Sequence, residues 1–137
     1  MATALINLIT DFGEDYRAIV KREIFKRNPE ARVIDHGKVE EYSIWKTAHI
    51  LDVAYDRTAA ADREIFLCIT DPGVGTAREH LVAATGDTSY FVGPNNGIIT
   101  YLAAEISQAG TVNLQKINRE RFSNTFHGRD IFGPTAA

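Results

Sequence analysis

The sequence is poor in cysteine and in positive charge, and it has no long apolar run. Cys68 is the only cysteine among 137 residues, so it cannot form an internal disulfide, and no Cys/His spacing suggests a metal site. The net charge of −3 counts against sequence-independent binding of nucleic acid, which needs a basic face. The longest apolar stretch is too short to span a bilayer. We therefore expect a protein that binds neither nucleic acid nor a membrane.

What is present fits an ordinary globular protein. Hydrophobic residues make up 45% of the chain and charged residues 24%, and 137 residues suffice for one domain with a core. We therefore predict a single domain over residues 1–137. The first residues carry no basic segment typical of a secretory signal, so we expect a cytoplasmic location.

Apolar runs alternate with amphipathic stretches along the chain. This pattern predicts a βαβαβ beginning, which implies parallel strands joined by right-handed crossovers. The expected fold class is α/β, a three-layer sandwich around a mainly parallel central sheet, with a ligand site at the carboxyl ends of the strands. The predicted strands are residues 4–10, 31–34, 65–70, 80–85, 89–92 and 112–117, with a hairpin turn at 86–87, and the predicted helices are residues 15–27, 40–55, 98–108 and a last one that begins at 131.

The most informative segment is the end of the third predicted strand. The apolar run 65–70 is typical of a strand buried on both faces, and it stops at Asp71. Pro72 and the glycines after it permit a sharp turn, and Arg78 follows closely enough to fold back on Asp71. Two interpretations are open: a tight connection that carries a surface ion pair, or a charged pocket at the end of a buried strand.

Three predicted strands are each followed by an aspartate, namely Asp11, Asp35 and Asp71. Because ligands of open parallel sheets bind outside the carboxyl ends of the strands, we expect these carboxylates along one edge. Each could instead cap the helix that follows, and for Asp35 we prefer that explanation. For Asp11 and Asp71 we prefer a ligand site, because neighbouring glycines leave space.

A row of carboxylates could also hold a divalent metal for a phosphoesterase. No phosphate-binding motif supports this alternative. The histidines are scattered, and we expect His49 and His80 to be structural or exposed. His127 differs, because it stands beside a glycine in a loop crowded with polar groups.

Five short segments concentrate the turn-forming and polar residues. They are residues 10–13 (TDFG), 28–31 (NPEA), 71–76 (DPGVGT), 91–97 (FVGPNNG) and 125–132 (TFHGRDIF). In this order and at this spacing, the sequence resembles the S-adenosyl-L-methionine (SAM) hydroxide adenosyltransferases, relatives of the fluorinase and the chlorinase. The resemblance runs over essentially the whole chain.

The resemblance implies a reaction in which hydroxide attacks the 5′ carbon of SAM and displaces methionine, giving adenosine, with no metal and no other cofactor. It implies a catalytic trio of Asp71, Arg78 and His127, in which the imidazole could take the proton of the attacking water. It also implies that Asp11 accepts hydrogen bonds from both ribose hydroxyls. The implied wall around the substrate consists of Asp71 with Phe12, Tyr42, Thr125, Phe126 and Gly128.

Members of this family carry a second, β-rich C-terminal domain, and their site forms between neighbours in a trimer. The resemblance is to the N-terminal domain alone, so it implies a homotrimer, or a separate chain that supplies the second half. The loop before Tyr16 is about two residues shorter than is usual in the family, which leaves recognition of the methionine part open. The alternative function is a truncated or vestigial module that binds adenosine or SAM without turnover.

Overall fold

The computed structural model describes residues 4–55, 63–86, 88–117, 122–123 and 125–137. The strands are β1 (Leu5–Thr10), β2 (Arg32–Lys38), β3 (Glu64–Ile69), β4 (His80–Thr85), β5 (Ser89–Pro94) and β6 (Ile106–Thr111). The α-helices are α1 (Glu14–Arg27), α2 (Ile44–Ala54) and α3 (Gly133–Ala136). Two 3₁₀ helices span Ile98–Glu105 and Leu114–Lys116, and a π-helical turn spans Gly128–Phe132. Within these ranges, no helix has the length and apolar character needed to cross a membrane.

The six strands form one sheet in the order β2-β1-β3-β5-β4-β6. β1 pairs in parallel with β2 on one side and with β3 on the other, and β3 pairs in parallel with β5. β4 runs antiparallel to both β5 and β6. The predicted α/β class, the βαβαβ beginning and the mainly parallel sheet are therefore confirmed.

Helical segments cover both faces of the sheet. Successive residues of its central strands point to opposite sides, so both faces are apolar and each packs against helices. On one face, Leu8 packs in a cluster with Ile24 of α1 and with Phe132. On the other face, its neighbour Ile9 packs in a second cluster with Leu51 of α2. The three-layer arrangement follows from these two cores.

Local sequence decides where the two longer helices begin. The first turn of α1 carries Glu14 and Asp15, whose charges are favourable at a helix N-terminus. α2 begins only after Ser43, whose hydroxyl accepts a hydrogen bond from the backbone of Lys46 at 3.3 Å. The predicted start at residue 40 is therefore wrong, and the residues before the cap form a turn in which Tyr42 has a φ of +59°.

β2 is longer than predicted, and this changes the place of Asp35. The strand continues to Lys38, so Asp35 lies inside it and pairs in register with Leu8 of β1. Its carboxylate accepts hydrogen bonds from Arg17 Nε at 3.2 Å and from Lys21 Nζ at 2.9 Å. Asp35 therefore neither lies past the carboxyl end of its strand nor caps a helix, and both interpretations of it are wrong.

The C-terminal part of the sheet also differs from the prediction. The helix expected over residues 98–108 is a 3₁₀ helix that stops at Glu105, and the strand expected over 112–117 is instead β6 at Ile106–Thr111. Pairing explains the difference: β6 forms the edge of the sheet beside β4, with Ala84 opposite Gln108. Residue 87 of the predicted hairpin turn lies outside the described residues.

Gly93 lies where β5 closely approaches β3, so a substitution there probes that packing. A Cβ added at this position would lie 2.3 Å from the backbone oxygen of Cys68 in β3. We expect Gly93→Ala to lower the free energy of unfolding by about 1–3 kcal/mol, because the strand must shift to relieve the overlap. Denaturant unfolding followed by circular dichroism measures the effect.

The matched control is Gly110→Ala in β6, where an added Cβ meets no atom within 4 Å. We expect this variant to unfold close to the wild-type midpoint. Equal destabilisation by the two substitutions would contradict the close approach of β5 to β3.

Candidate functional site

The candidate site lies where the connections of the parallel strands diverge. β1 leads through α1 to β2 on one side of the sheet, whereas β3 leads to strands on the other side. In α/β sheets this switch point leaves a crevice at the carboxyl ends of the strands. Thr10 of β1 is in register with Ile69 of β3, so Asp11 and Asp71 leave the sheet side by side.

A cleft of about 280 Å³ opens at this point. Its volume is slightly below the roughly 300–1,000 Å³ typical of sites for small molecules. Four of its lining residues were predicted from the sequence, and the other four were not. The lining residues are Asp11, Phe12, Tyr42 and Asp71, with Gly13, Tyr16, Glu41 and Val74.

Asp11 presents a largely buried carboxylate to this cleft. Its Oδ2 accepts a hydrogen bond from the backbone N–H of Tyr42 at 2.9 Å. Burial raises the pKa of Asp11, and this hydrogen bond offsets part of the rise. The Tyr42 backbone adopts its unusual left-handed conformation at this contact, while its side chain is 69% exposed.

Aromatic side chains form one wall of the cleft. The ring of Phe12 meets that of Tyr16 edge to face, with 4.4 Å between centroids, and Tyr16 lies 5.3 Å from the ring of Phe126. Gly128 backs this wall, because a Cβ there would lie 2.8 Å from Phe12 Cε2. Phe126 and Gly128 therefore support the aromatic wall from outside the set of lining residues.

Asp71 and Arg78 form a buried ion pair. Arg78 Nε donates to Asp71 Oδ1 at 3.0 Å, and Arg78 Nη2 donates to Asp71 Oδ2. The two side chains are only 5% and 9% exposed, so the interpretation as a surface ion pair is wrong. Arg78 Nη1 is also buried, and it makes no hydrogen bond to any residue that the structure describes. A buried donor of this kind is costly to leave without an acceptor.

His127 is held by the same guanidinium. Its Nδ1 lies 2.8 Å from Arg78 Nη2. Because arginine can only donate, Nδ1 must accept, so the neutral ring carries its hydrogen on Nε2. Burial and then the charge of Arg78 lower the pKa of His127, while Asp71, Asp130 and a hydrogen bond with the Ser123 backbone oppose the shift.

His80 is a neighbour that the sequence analysis did not assign to the site. Its Nε2 lies 3.3 Å from His127 Nδ1, and the two rings meet edge to face at 5.0 Å. Arg78 and His80 are two residues apart where β4 begins, and that spacing places side chains on one face of a strand. The spacing was therefore the available signal, and the expectation of a merely structural or exposed side chain missed this contact.

The predicted residue Thr125 lies away from this arrangement, and so does His36, which was not assigned to the site. Thr125 is exposed and does not line the cleft, and its backbone N–H donates to Ser123 Oγ at 3.0 Å. His36 contacts Asn7 Oδ1 at 3.0 Å, on β2 and β1. No three His, Cys, Asp or Glu side chains among the described residues are arranged to hold a metal ion.

The chain is similar in sequence to proteins of one family. The family model described as "SAM hydroxide adenosyltransferase N-terminal domain" matches residues 6–137. Proteins named (R)-S-adenosyl-L-methionine hydrolase from Methanocaldococcus jannaschii and from Salinispora tropica are 34% and 35% identical to it, over 97% and 98% of the chain. The chain spans about half the length of these relatives, 52% in each case.

Solved structures share the fold. The crystal structure of an uncharacterized conserved protein from Thermotoga maritima has a TM-score of 0.85 at 35% identity, over 96% of this chain and 52% of that one. A conserved hypothetical protein from Thermus thermophilus has a TM-score of 0.71 at 26% identity, over 100% of this chain and 52% of that one. Since the family model spans nearly all 137 residues and relatives above 30% identity cover the same range, the chain belongs to the SAM hydroxide adenosyltransferase N-terminal domain family.

Proposed function

We propose that this chain carries the N-terminal half of the active site of a metal-independent enzyme that hydrolyses SAM to adenosine and methionine. The observation that carries the proposal is the buried Asp71–Arg78 pair beside a cleft that also exposes Asp11. The names of the relatives support the choice of substrate, because each is called a SAM hydrolase.

The proposed reaction is a single displacement at the 5′ carbon of the ribose. A bond forms between the water oxygen and this carbon while the bond from the carbon to sulfur breaks, and the bonding electrons pass to sulfur. The sulfonium becomes the neutral thioether of methionine, and the water loses one proton. Because the sulfonium is already a good leaving group, the site must chiefly place the oxygen in line and exclude other water.

In the proposed mechanism, Arg78 and Asp71 place the nucleophile. The Nη1 of Arg78, which has no partner among the described residues, is a buried donor for the water or hydroxide oxygen. Asp71 lines the cleft and can accept a hydrogen bond from the same water. His127 completes the trio, but its Nδ1 already accepts from Arg78, so proton uptake there requires that bond to open. We therefore propose that Asp71 is the first acceptor of the proton from the water. His127 instead orients Arg78.

The remaining residues are proposed to hold the substrate. Asp11 has a carboxylate oxygen beside the cleft that can accept from the ribose hydroxyls. Phe12 and Tyr42 line the cleft around the sugar, and Phe126 and Gly128 support that wall. Thr125 contributes to this wall only if its exposed loop packs against the substrate.

We further propose that a second polypeptide segment completes the cleft. The chain spans about half of its relatives, and the cleft is small for a nucleoside joined to an amino acid. A neighbour in a homotrimer, or a separate chain with the β-rich half, would close it in the cytoplasm.

A second candidate function is binding without turnover. The same two observations favour it, because an incomplete cleft holds part of the substrate without excluding water. In that case, the chain would bind adenosine or SAM and would release no methionine.

One assay tests both functions. The chain is incubated with SAM in water enriched in the heavy oxygen isotope, with and without a chelator and added chloride, and the products are separated by chromatography. We expect adenosine that carries the label, unlabelled methionine, and no effect of the chelator. Binding without product would support the second function, and loss of product with the chelator would contradict the metal-independent mechanism.

Substitutions in the trio should separate turnover from binding. We expect Asp71→Asn and His127→Ala to lower kcat by about 100-fold or more, because each disturbs the placement or deprotonation of the nucleophile. Calorimetric titration with adenosine should show a much smaller loss of affinity than of turnover. The control is His49→Gln on the exposed side of α2. Unchanged turnover in the His127 variant would remove this residue from the mechanism.

Asp11→Asn should weaken adenosine binding and yet stabilise the unliganded chain. The variant loses a charged acceptor for the ribose, so we expect about tenfold or more weaker binding. Because burial raises the pKa of Asp11, ionisation costs the folded state stability as the pH rises through the interval between the unfolded and folded pKa values. The variant avoids this cost, while its amide oxygen can still accept from Tyr42.

Thermal unfolding against pH measures this effect. We expect the variant to have the higher Tm at pH 7. The difference should shrink as the pH falls through the interval between the raised folded pKa and the ordinary one, and it should be lost below about 4, near the ordinary pKa of an aspartate. A variant that is equally destabilised at every pH would contradict the assigned cost of the Asp11 charge.

A further inference from the structure

Two nitrogen atoms, one from Arg78 and one from His80, approach the same nitrogen of His127. Arg78 Nη2 lies 2.8 Å from His127 Nδ1, and His80 Nε2 lies 3.3 Å from the same atom. His80 and Arg78 come from the start of β4 and the loop before it, whereas His127 precedes the π-helical turn. These contacts therefore connect the start of β4 with the segment just before the π-helical turn.

The chemistry of the donors determines the hydrogen positions. Arg78 cannot accept, so His127 Nδ1 carries a lone pair and no hydrogen. A hydrogen bond in the His80–His127 contact must therefore take its hydrogen from Nε2 of His80, because His127 Nδ1 has none to donate. His127 consequently carries its own hydrogen on Nε2, and a hydrogen bond with the Ser123 backbone involves the same ring. Both imidazoles are neutral in this arrangement, and each has one defined tautomer.

We propose that His80 is a positioning residue for the Asp71–Arg78–His127 trio, because its Nε2–H holds the His127 ring in the Nε2–H tautomer as a fixed acceptor for Arg78. With His127 fixed, the guanidinium keeps Nη2 on the imidazole and leaves Nη1 for the nucleophile. The part of this inference that concerns turnover rests on the proposed function, whereas the part that concerns the tautomer does not.

The surroundings of His80 suit a permanent donor. Burial, and then the charges of Arg78 and His127, lower the pKa of His80 to about 4, against an opposing effect of Asp71. The apolar ring of Phe132 packs beside it, with 5.5 Å between centroids. The charged groups that act on His127 are Arg78, Asp71 and Asp130. His80 therefore stays neutral, with a hydrogen to donate, over the range in which an ordinary histidine titrates.

The test compares a variant that removes the donor with one that keeps it. His80→Leu fills similar space without any donor, whereas the side-chain amide of His80→Gln can reach the same nitrogen. His49→Gln, on the exposed side of α2, controls for the loss of a histidine. The nitrogen chemical shifts of the histidine rings are recorded on the intact chain by NMR from pH 8 to pH 4, with the His127 signals assigned from their loss in His127→Gln.

We expect His127 of the wild type to appear as the neutral Nε2–H tautomer. In His80→Leu, we expect its titration midpoint to move to higher pH by about one unit, since one pKa unit corresponds to roughly the net free energy of one hydrogen bond. His80→Gln should restore the wild-type midpoint. A wild-type His127 with its hydrogen on Nδ1 would overturn the proposal without any variant. Identical titration in His80→Leu and the wild type would also overturn it.

The same variants extend the test to the reaction. We expect His80→Leu to lower kcat with little change in KM, and to move the acidic limb of the pH–rate profile to higher pH, while His80→Gln recovers both. Equal rates and pH profiles in His80→Leu and the wild type would overturn the positioning role in turnover. Absence of turnover in the wild type would count against the proposed function, while the ring spectra would still decide the role of His80.

Discussion

The buried pair of Asp71 and Arg78 is the constraint on which the site depends. Burying two charges costs several kcal/mol each, and their attraction offsets this only when the hydrogen bonds are well formed. Here two hydrogen bonds join Arg78 to Asp71. The guanidinium also lies over the ring of Phe132, and His127 accepts a hydrogen bond from it. Loss of either partner would leave an uncompensated charge in the interior. The turn after β3, the start of β4 and the turn after His127 must therefore keep their relative positions for the pair to persist.

The parallel sheet explains why this pair lies beside Asp11. Strands buried on both faces must end before a carboxylate can reach water, so both acids appear just past the ends of β1 and β3. The in-register pairing of these strands then brings the two ends together. The same burial raises the pKa of Asp11, because a charge is disfavoured at this place in the fold. The left-handed backbone of Tyr42 beside it is a local strain of the kind that is common at functional sites.

Small residues let the elements approach closely enough to build the site. Gly93 brings β5 against the backbone of Cys68, and Gly128 brings the π-helical turn against Phe12. Both glycines occur in the segments that carry the family resemblance. Their value lies in the missing Cβ, since any side chain there would displace a strand or the aromatic wall.

The sequence by itself determined the layered α/β architecture, the first three strands, and the placement of Asp11 and Asp71 side by side, because hydrophobic periodicity and the ends of buried strands are local signals. Phe12 and Tyr42 were predicted from the family resemblance, and they line the same cleft. Only the tertiary structure decided the rest. Pairing across the sheet placed β6 where local pattern favoured a helix, and it drew Asp35 into the middle of β2. The convergence of His80 on His127 joins residues 47 positions apart, so it depends on how the last turn packs against β4. Long-range packing of this kind leaves no period in the sequence, and it brought the two histidines into contact beside Arg78.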